Sequence, residues 1–241
     1  MEKNIQDRLA YWLLKDMNKA IREFNMIQDR DRIAVAVSGG KDSLSLLRLL
    51  DVRRASSREK YSLFVIHIIG DARGPVGLEN TNLSDWLAAN CYEYALEPMI
   101  IPDDETLPMT CQRCTWNRRR TIFEVAHKNG CNKIAFGHHA DDLAQTTLLN
   151  LIYSGKIETM APKVAYFDGE FQIIRPMCYL SEKAIRRFAR ALNFPPSPMD
   201  CRQKEHSHRQ RVEEIIHEAE KWCKNIRTNL LRAGLKGIDS P

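Results

Sequence analysis

Apolar residues recur at three- and four-residue spacing through Ile5, Leu9, Trp12, Leu13, Met17, Ile21 and Phe24. That spacing predicts an amphipathic helix packed on whatever follows it. From Arg32 to Val37 the pattern becomes an unbroken β-branched and apolar run, the mark of a strand buried on both faces. It runs into Ser38-Gly39-Gly40, after which Leu44 to Leu50 return to helical register. A polar connection, Arg53 to Lys60, precedes a second strand over Tyr61 to Ile68, which stops at Gly70, Asp71 and Gly74. A helix over Asn82 to Ala95 places Leu83, Trp86, Leu87, Cys91 and Tyr94 on one face, and a short third strand spans Met99 to Ile101 between Pro98 and Pro102. Next come a helix over Thr115 to Asn129, a fourth strand over Lys133 to Phe136, and a helix over Asp141 to Tyr153. A fifth strand, Phe171 to Ile174, stops at Pro176, followed by a helix over Ser181 to Leu192 and a last one over Gln210 to Arg232.

Strands alternating with helices at this spacing predict an α/β fold: a Rossmann-like parallel five-stranded sheet with helices on both faces, plus N- and C-terminal helices. The expected organisation is an N-terminal helical segment (1–30), a central nucleotide-binding domain (31–192) and a C-terminal segment (193–241) that opens with the Pro-rich stretch Asn193 to Ser207. Ligands of such sheets sit beyond the C-terminal ends of the strands.

With 241 residues, 44% hydrophobic and 28% charged, the chain has the composition of a soluble globular protein with a substantial core. No apolar run approaches the roughly 20 residues that span a bilayer, and the polar start Met1 to Arg8 argues against a secretory signal. A cytoplasmic protein with no membrane partner is expected. The formal net charge of +5 is compatible with a nucleic-acid partner. Seven cysteines, an odd number, fit metal or redox chemistry better than a disulfide framework.

The strand–glycine–helix junction presents free backbone N–H groups and a positive helix end to an anion. Gly39 and Gly40 permit positive φ and close phosphate approach, Lys41 adds a full charge, and the hydroxyls of Ser38 and Ser43 donate. The Walker A spacing is absent. A second strand-to-helix turn, Gly137-His138-His139-Ala140-Asp141-Asp142, falls at the same edge of the sheet. There Asp141 or Asp142 is placed to hold Mg²⁺ against phosphates, the other serving as helix N-cap.

Cys111 and Cys114 lie one turn apart just ahead of a helix N-terminus, where thiol pKa values fall. The pair alone fits a zinc site, a redox pair or iron–sulfur ligands. Cys201 is a third candidate ligand, and His206 or His208 would instead close a Cys₃His zinc site. Cys91 and Cys223 fall on apolar helix faces as buried small hydrophobes; Cys131 and Cys178 are assigned no role. Arg113, Arg118, Arg119 and Arg120 beside the cysteine pair, and Lys183, Arg186, Arg187 and Arg190 on a later helix, form a basic rim suited to RNA.

Ser38-Gly39-Gly40-Lys41-Asp42-Ser43 resembles the PP-loop of the N-type ATP pyrophosphatases. The likeness extends to Ala20–Ile27, Asp31-Arg32-Ile33, Gly137-His138-His139 with Asp141-Asp142, Gln145-Thr146, Leu149-Asn150, Tyr153–Lys156 and Ile174-Arg175-Pro176. Over residues 18–215 the chain is similar to the TtcA family of tRNA 2-thiocytidine synthetases. Ala140 stands where that family commonly carries Arg, and after Cys201 only the closing Arg209-Gln210 is kept.

The resemblance implies an adenine nucleotide alpha hydrolase type of sheet and an ATP-dependent tRNA sulfurtransferase. ATP would adenylate the C2 oxygen of a pyrimidine, most simply cytidine, and sulfur would replace that oxygen. Carried over, the ATP site comprises Ala36, Ser38, Gly39, Gly40, Lys41, Asp42, Ser43, His67, Gly137 and Asp142, with Mg²⁺ on Asp42 and Asp141. Cys111, Cys114 and Cys201 would carry a [4Fe–4S] cluster with one open iron, Lys41 and Asp42 joining them as catalytic residues. Arg118, Arg119 and Arg120 would face the tRNA, a cysteine desulfurase or another donor would supply sulfur, and a homodimer is allowed for. Two readings compete: a persulfide–disulfide sulfurtransferase without a cluster, and a Zn²⁺-stabilised RNA- or nucleotide-binding protein without turnover.

Overall fold

The computed structural model of the chain describes residues 2–75, 81–196 and 208–238; Cys201 and His206 lie outside them. Helix α1 (Glu2–Glu23) leads to strand β1 (Arg32–Ala36), α2 (Lys41–Ser56), β2 (Ser62–Ile69), α3 (Thr81–Ala89) and β3 (Tyr94–Pro98). Then follow α4 (Cys111–Lys128), β4 (Lys133–Ala135), α5 (Ala140–Ser154), β5 (Lys163–Tyr166), β6 (Phe171–Ile174), α6 (Glu182–Ala191), α7 (His208–Glu220) and α8 (Ile226–Ile238). One sheet carries the strands in the order β3-β2-β1-β4-β6-β5. All neighbours are parallel except β5 and β6. The predicted α/β class and its parallel strands stand; the sheet has six strands rather than five.

From β1 the chain steps outward through β2 to β3, then returns to lay β4 on the other side of β1. That reversal opens a crevice between the C-terminal tips of β1 and β4. Helices α1, α2, α3 and α6 bury Met17, Leu46, Leu83 and Phe188 with Val35 against one face. Helix α4 buries Ile122, Val125 and Ala126 with Ala34 and Ile66 against the other.

Several expected boundaries are corrected. Helix α3 ends at Ala89 because Cys91, at φ +55, turns the chain; Cys91 N–H bonds Ala88 O and Tyr92 N–H bonds Leu87 O, the two closing bonds of a Schellman cap. Cys91 is therefore exposed rather than a buried helix-face residue, and Tyr94 opens β3. The third strand precedes Pro98 instead of following it, and an edge strand tolerates proline at its end. Strand β5 is the additional strand: four residues of mixed polarity form the antiparallel edge. On α1, Ala10, Leu13, Met17 and Ile21 are buried whereas Trp12 is 61% exposed.

The single C-terminal helix expected over 210–232 is two, because the chain doubles back. A Cβ on Gly234 would meet Thr147 Oγ1 of α5 at 2.2 Å, and one on Gly237 would meet Ile157 O at 1.9 Å; only glycine lets α8 lie this close. Arg227 of α8 bonds both Glu213 and Glu220 of α7. Trp222 in the intervening turn is 79% exposed, and Cys223 there is half-buried. Among the described residues no helix is long and apolar enough to cross a membrane.

At the opposite edge of the sheet Lys133 is 2% exposed. Its Nζ bonds Asp31 Oδ2 at 2.8 Å and Met26 O at 2.9 Å, pinning β4 to the chain entering β1. Breaking a buried pair leaves one uncompensated charge. Lys133→Met is expected to lower unfolding stability by about 3–5 kcal/mol in urea titrations at neutral pH, with Asp31→Asn added to it restoring part of the loss. Breaking the exposed Arg120–Glu124 pair should cost under about 0.5 kcal/mol.

Candidate active site

Two turns meet in the crevice. The first follows β1: Gly39 sits at φ +85, Gly40 caps α2, and Lys41, Asp42 and Ser43 form the first helical turn. Three of the loop's donors are satisfied within it. Ser38 N–H donates to Ser43 Oγ (3.1 Å), Gly40 N–H to Ser38 Oγ (3.3 Å), and Ser43 Oγ to Gly40 O (2.9 Å). Phosphate oxygens can take over these donors without any rebuilding of the loop.

The second turn follows β4 and touches the first by backbone. A Cβ on Gly137 would stand 3.1 Å from both Asp42 C and Ser43 N. Helix α5 is capped at His139 rather than by an aspartate; the His139 N–H donates to Asp142 Oδ2 at 2.9 Å. His139 itself is buried with Nε2 3.9 Å from Asp42 Oδ1 and 3.4 Å from Asp142 Oδ2. Burial raises the Asp142 pKa, as does the nearby Asp42 charge, against the lowering effect of His139.

A third turn, after β6, locks onto the second. Ala140 N–H bonds Leu180 O at 2.9 Å, and Asp141 Oδ2 accepts the Glu182 N–H at 2.7 Å. Glu182 is thereby aimed at the loop, where its Oε1 lies 3.1 Å from Lys41 Nζ and 2.7 Å from Arg186 Nη2. Lys41 Nζ also bonds Asp42 Oδ2 at 2.9 Å. Burial alone would depress the lysine, but the two carboxylates outweigh it and raise its pKa. Burial pushes Glu182 up, and its bonds to Arg186 and Lys41 overcome this, taking it down to about 2. An open cavity of about 400 Å³ continues from Gly39 and Lys41 to Arg186, Arg190 and Phe194.

The remaining expected residues divide. Ala36 ends β1. The His67 ring is buried under the loop, Nδ1 lying 2.8 Å from Val37 O, and burial lowers its pKa. Cys111 and Cys114 stand in the first turn of α4, not ahead of it, behind an N-cap at Thr110. Met109 N–H bonds Ala72 O and Arg118 Nη2 bonds Gly70 O, both at 2.6 Å. The cysteine pair therefore sits at the sheet edge that carries the loop, on the β2 side. Cys111 is exposed and Cys114 half-buried. Cys131 and Cys178 are pushed up by burial to about 11 and about 12, which makes them poor nucleophiles. Arg113 is held by Glu105 and stacks over Trp116, and Arg120 pairs with Glu124.

Asp42 Oδ1 is buried without a hydrogen-bond partner, an oxygen suited to a hard cation. Both Asp141 oxygens are engaged, one by Glu182 N–H and the other 3.4 Å from Arg227 Nη1. Among the described residues no three Cys, His, Asp or Glu side chains converge as a metal cage; the third cysteine, Cys201, lies outside them. Sequence reasoning gave no role to Glu182, Arg175 or His138. A charged residue directly after a buried strand, as in Ile174-Arg175, was the available signal.

The sequence profile of the PP-loop domain matches residues 13–195. The chain belongs to the PP-loop family. Within that family it is 35% identical to a tRNA-cytidine(32) 2-sulfurtransferase of Syntrophotalea carbinolica over 233 residues, 95% of this chain and 90% of the relative. It is 36% identical to the enzyme of that name from Legionella pneumophila over 230 residues, 92% of this chain and 79% of the relative. Its fold is similar to that of the U34-tRNA thiolase NcsA from Methanococcus maripaludis, solved with its [4Fe–4S] cluster, at a TM-score of 0.71 and 20% identity over 96% of this chain and 80% of that one.

Gly137→Ala in this PP-loop protein should push the second turn off the first and weaken ATP binding about tenfold or more, read by fluorescent-nucleotide titration, with circular dichroism unchanged. The second turn also predicts acid sensitivity. Burial first, then neighbouring arginines, lower His138 from the usual 6.5 to about 3, so the unfolded chain takes up a proton that the folded one refuses. Stability is complete above 6.5 and falls as pH drops toward 3, by about 1.4 kcal/mol per pH unit from this group. His138→Gln should flatten that slope in urea titrations across pH 4–6.

Proposed function

We propose that this chain is an ATP-dependent tRNA sulfurtransferase that adenylates the C2 oxygen of a cytidine and exchanges that oxygen for sulfur. The observation that carries this reading is the placement, at one edge of one sheet, of a phosphate loop and a Cys-x-x-Cys helix start. Relatives at 35% identity named as tRNA-cytidine(32) 2-sulfurtransferases support it.

Each residue has a task. The amides and hydroxyls of Ser38 to Ser43 take the phosphates of ATP, and Gly137 leaves room for the backbone of the loop beside them. Lys41 exchanges the Glu182 carboxylate for a phosphate oxygen and stabilises the charge that builds as pyrophosphate leaves. Asp42, through its unpartnered Oδ1, is the residue that would hold Mg²⁺. His67 fixes the strand end on which adenine would lie. The C2 oxygen attacks the α-phosphorus, pyrophosphate departs, and sulfur then adds at C2 as AMP leaves with the oxygen.

Cys111, Cys114 and Cys201 would be the ligands of a [4Fe–4S] cluster. Soft thiolates at the positive end of a helix suit it. Such a cluster with three protein ligands supplies an iron open to an exogenous sulfur ligand. A cysteine desulfurase or another donor would bring that sulfur.

Nucleoside analysis of tRNA incubated with anaerobically reconstituted protein, ATP and sulfide tests the whole. Thiocytidine should form with wild type. Cys111→Ala should abolish it while ATP binding persists, and Lys41→Ala should lose both. A colourless protein with stoichiometric zinc and no thionucleoside would sink the proposal.

A further inference from the structure

Past the tips of β4 and β6 stand two buried side-chain nitrogens, on His138 and Arg175, to which neither the loop nor the cysteine pair gives a partner. Strand register sets this up: Ala135 pairs with Ile174 and Phe136 N–H bonds Ile174 O at 3.0 Å, bringing Phe136 beside Arg175. The Phe136 ring packs 5.8 Å from that of His138. Arg175 is only 5% exposed. Its Nη1 donates to Ala161 O, yet its Nε is buried with no hydrogen-bond partner, and His138 Nδ1 is buried in the same condition. Orphaned buried nitrogens are costly and call for a partner, which a bound anion can supply.

Burial lowers His138 most; the charges that add to it are Arg175, then Arg209 at the start of α7, then Arg119 on α4, then His139. Arg119 bears on Arg175 as well. The placement of Arg209 is fixed by its carbonyl, which accepts Gln145 Nε2 of α5 at 3.0 Å. Three guanidiniums from separate parts of the chain thus bear by their charge on one imidazole. Such a cluster repels itself until an anion enters, and guanidinium forks are shaped for phosphate. Arg209 bears by its charge on Asp142 as well.

We propose that Arg119, Arg175 and Arg209, with His138 Nδ1, form a seat for a backbone phosphate of the RNA substrate, next to the nucleotide activated at the PP-loop. This rests on the tRNA sulfurtransferase reading. The other source of the same chemistry is a phosphate of ATP. The RNA is favoured because the ATP phosphates have their own amide cradle after β1, whereas β6 lies two strands away, roughly 10 Å at ordinary strand spacing. The arginines flanking Arg119 are held elsewhere, by Gly70 O and by Glu124, so only the middle residue of the run belongs to the seat.

The test uses Arg209→Gln and Arg119→Gln of the full chain; Arg209 is exposed and Arg119 half-buried, so folding should survive. Binding of unmodified tRNA is followed by anisotropy across a salt series, and binding of a fluorescent ATP analogue in parallel. Each variant should weaken tRNA binding about tenfold and reduce the slope of log K against log salt by about one, with ATP binding unchanged. Arg209→Lys should keep the salt slope and recover part of the affinity. Loss of ATP binding instead would assign the seat to the nucleotide and overturn the proposal, and unchanged tRNA binding would overturn it outright. A wild-type protein that binds ATP but no tRNA would bring down the sulfurtransferase reading and the seat together, an outcome told apart by the wild-type titration alone.

Discussion

The backbone contact between the β1 and β4 turns governs everything else at this edge of the sheet. Gly137 lies so close to Asp42 and Ser43 that a methyl group would force the two backbones apart by a few tenths of an ångström, so the two helix starts that follow, α2 and α5, are set side by side. Their positive ends and first-turn side chains then point into one crevice. The constraint is supplied by the strand order, which returns the chain to the flank of β1 after building the opposite side of the sheet. Asp141 passes it on to α6 through the Glu182 amide, and Arg227 carries it as far as α8. The site is in this sense a by-product of topology: three loops meet because three neighbouring strands end together.

The central sheet was legible in the sequence because buried parallel strands leave unmistakable runs. Arg32 to Val37, Tyr61 to Ile68 and Phe171 to Ile174 are such runs, and two strand-to-helix turns announced themselves by Gly and Asp. What escaped has particular causes. Cys91 takes the left-handed cap position that glycine or asparagine usually fills, so the helix looked longer than it is. Strand β5 is too short and too mixed to show a period. The packing of α8 after the chain doubles back depends on Gly234 fitting against α5 and Gly237 against the segment that follows α5, a tertiary matter with no local trace, and apolar spacing alone runs the two helices together.

The candidate site divides along the same line. Loop residues were found because their spacing is itself chemical. Glu182, Arg175 and His138 were passed over because their meaning lies in what they face. The basic run Arg118-Arg119-Arg120 is one feature in the sequence, yet successive helix positions point about 100° apart, and Arg118 and Arg120 are held by Gly70 O and Glu124 respectively.

The bond from Glu182 to Lys41 bears on selectivity. Without nucleotide, the lysine is already neutralised by two carboxylates, so the crevice holds little attraction for a stray monovalent anion. A single phosphate would only trade one partner for another. Under the proposed function a triphosphate would engage the amides, the hydroxyls and the lysine together and so displace the resident carboxylate. On that reading the resident ion pair would make the entrance selective by valency, favouring long polyanions over small ones.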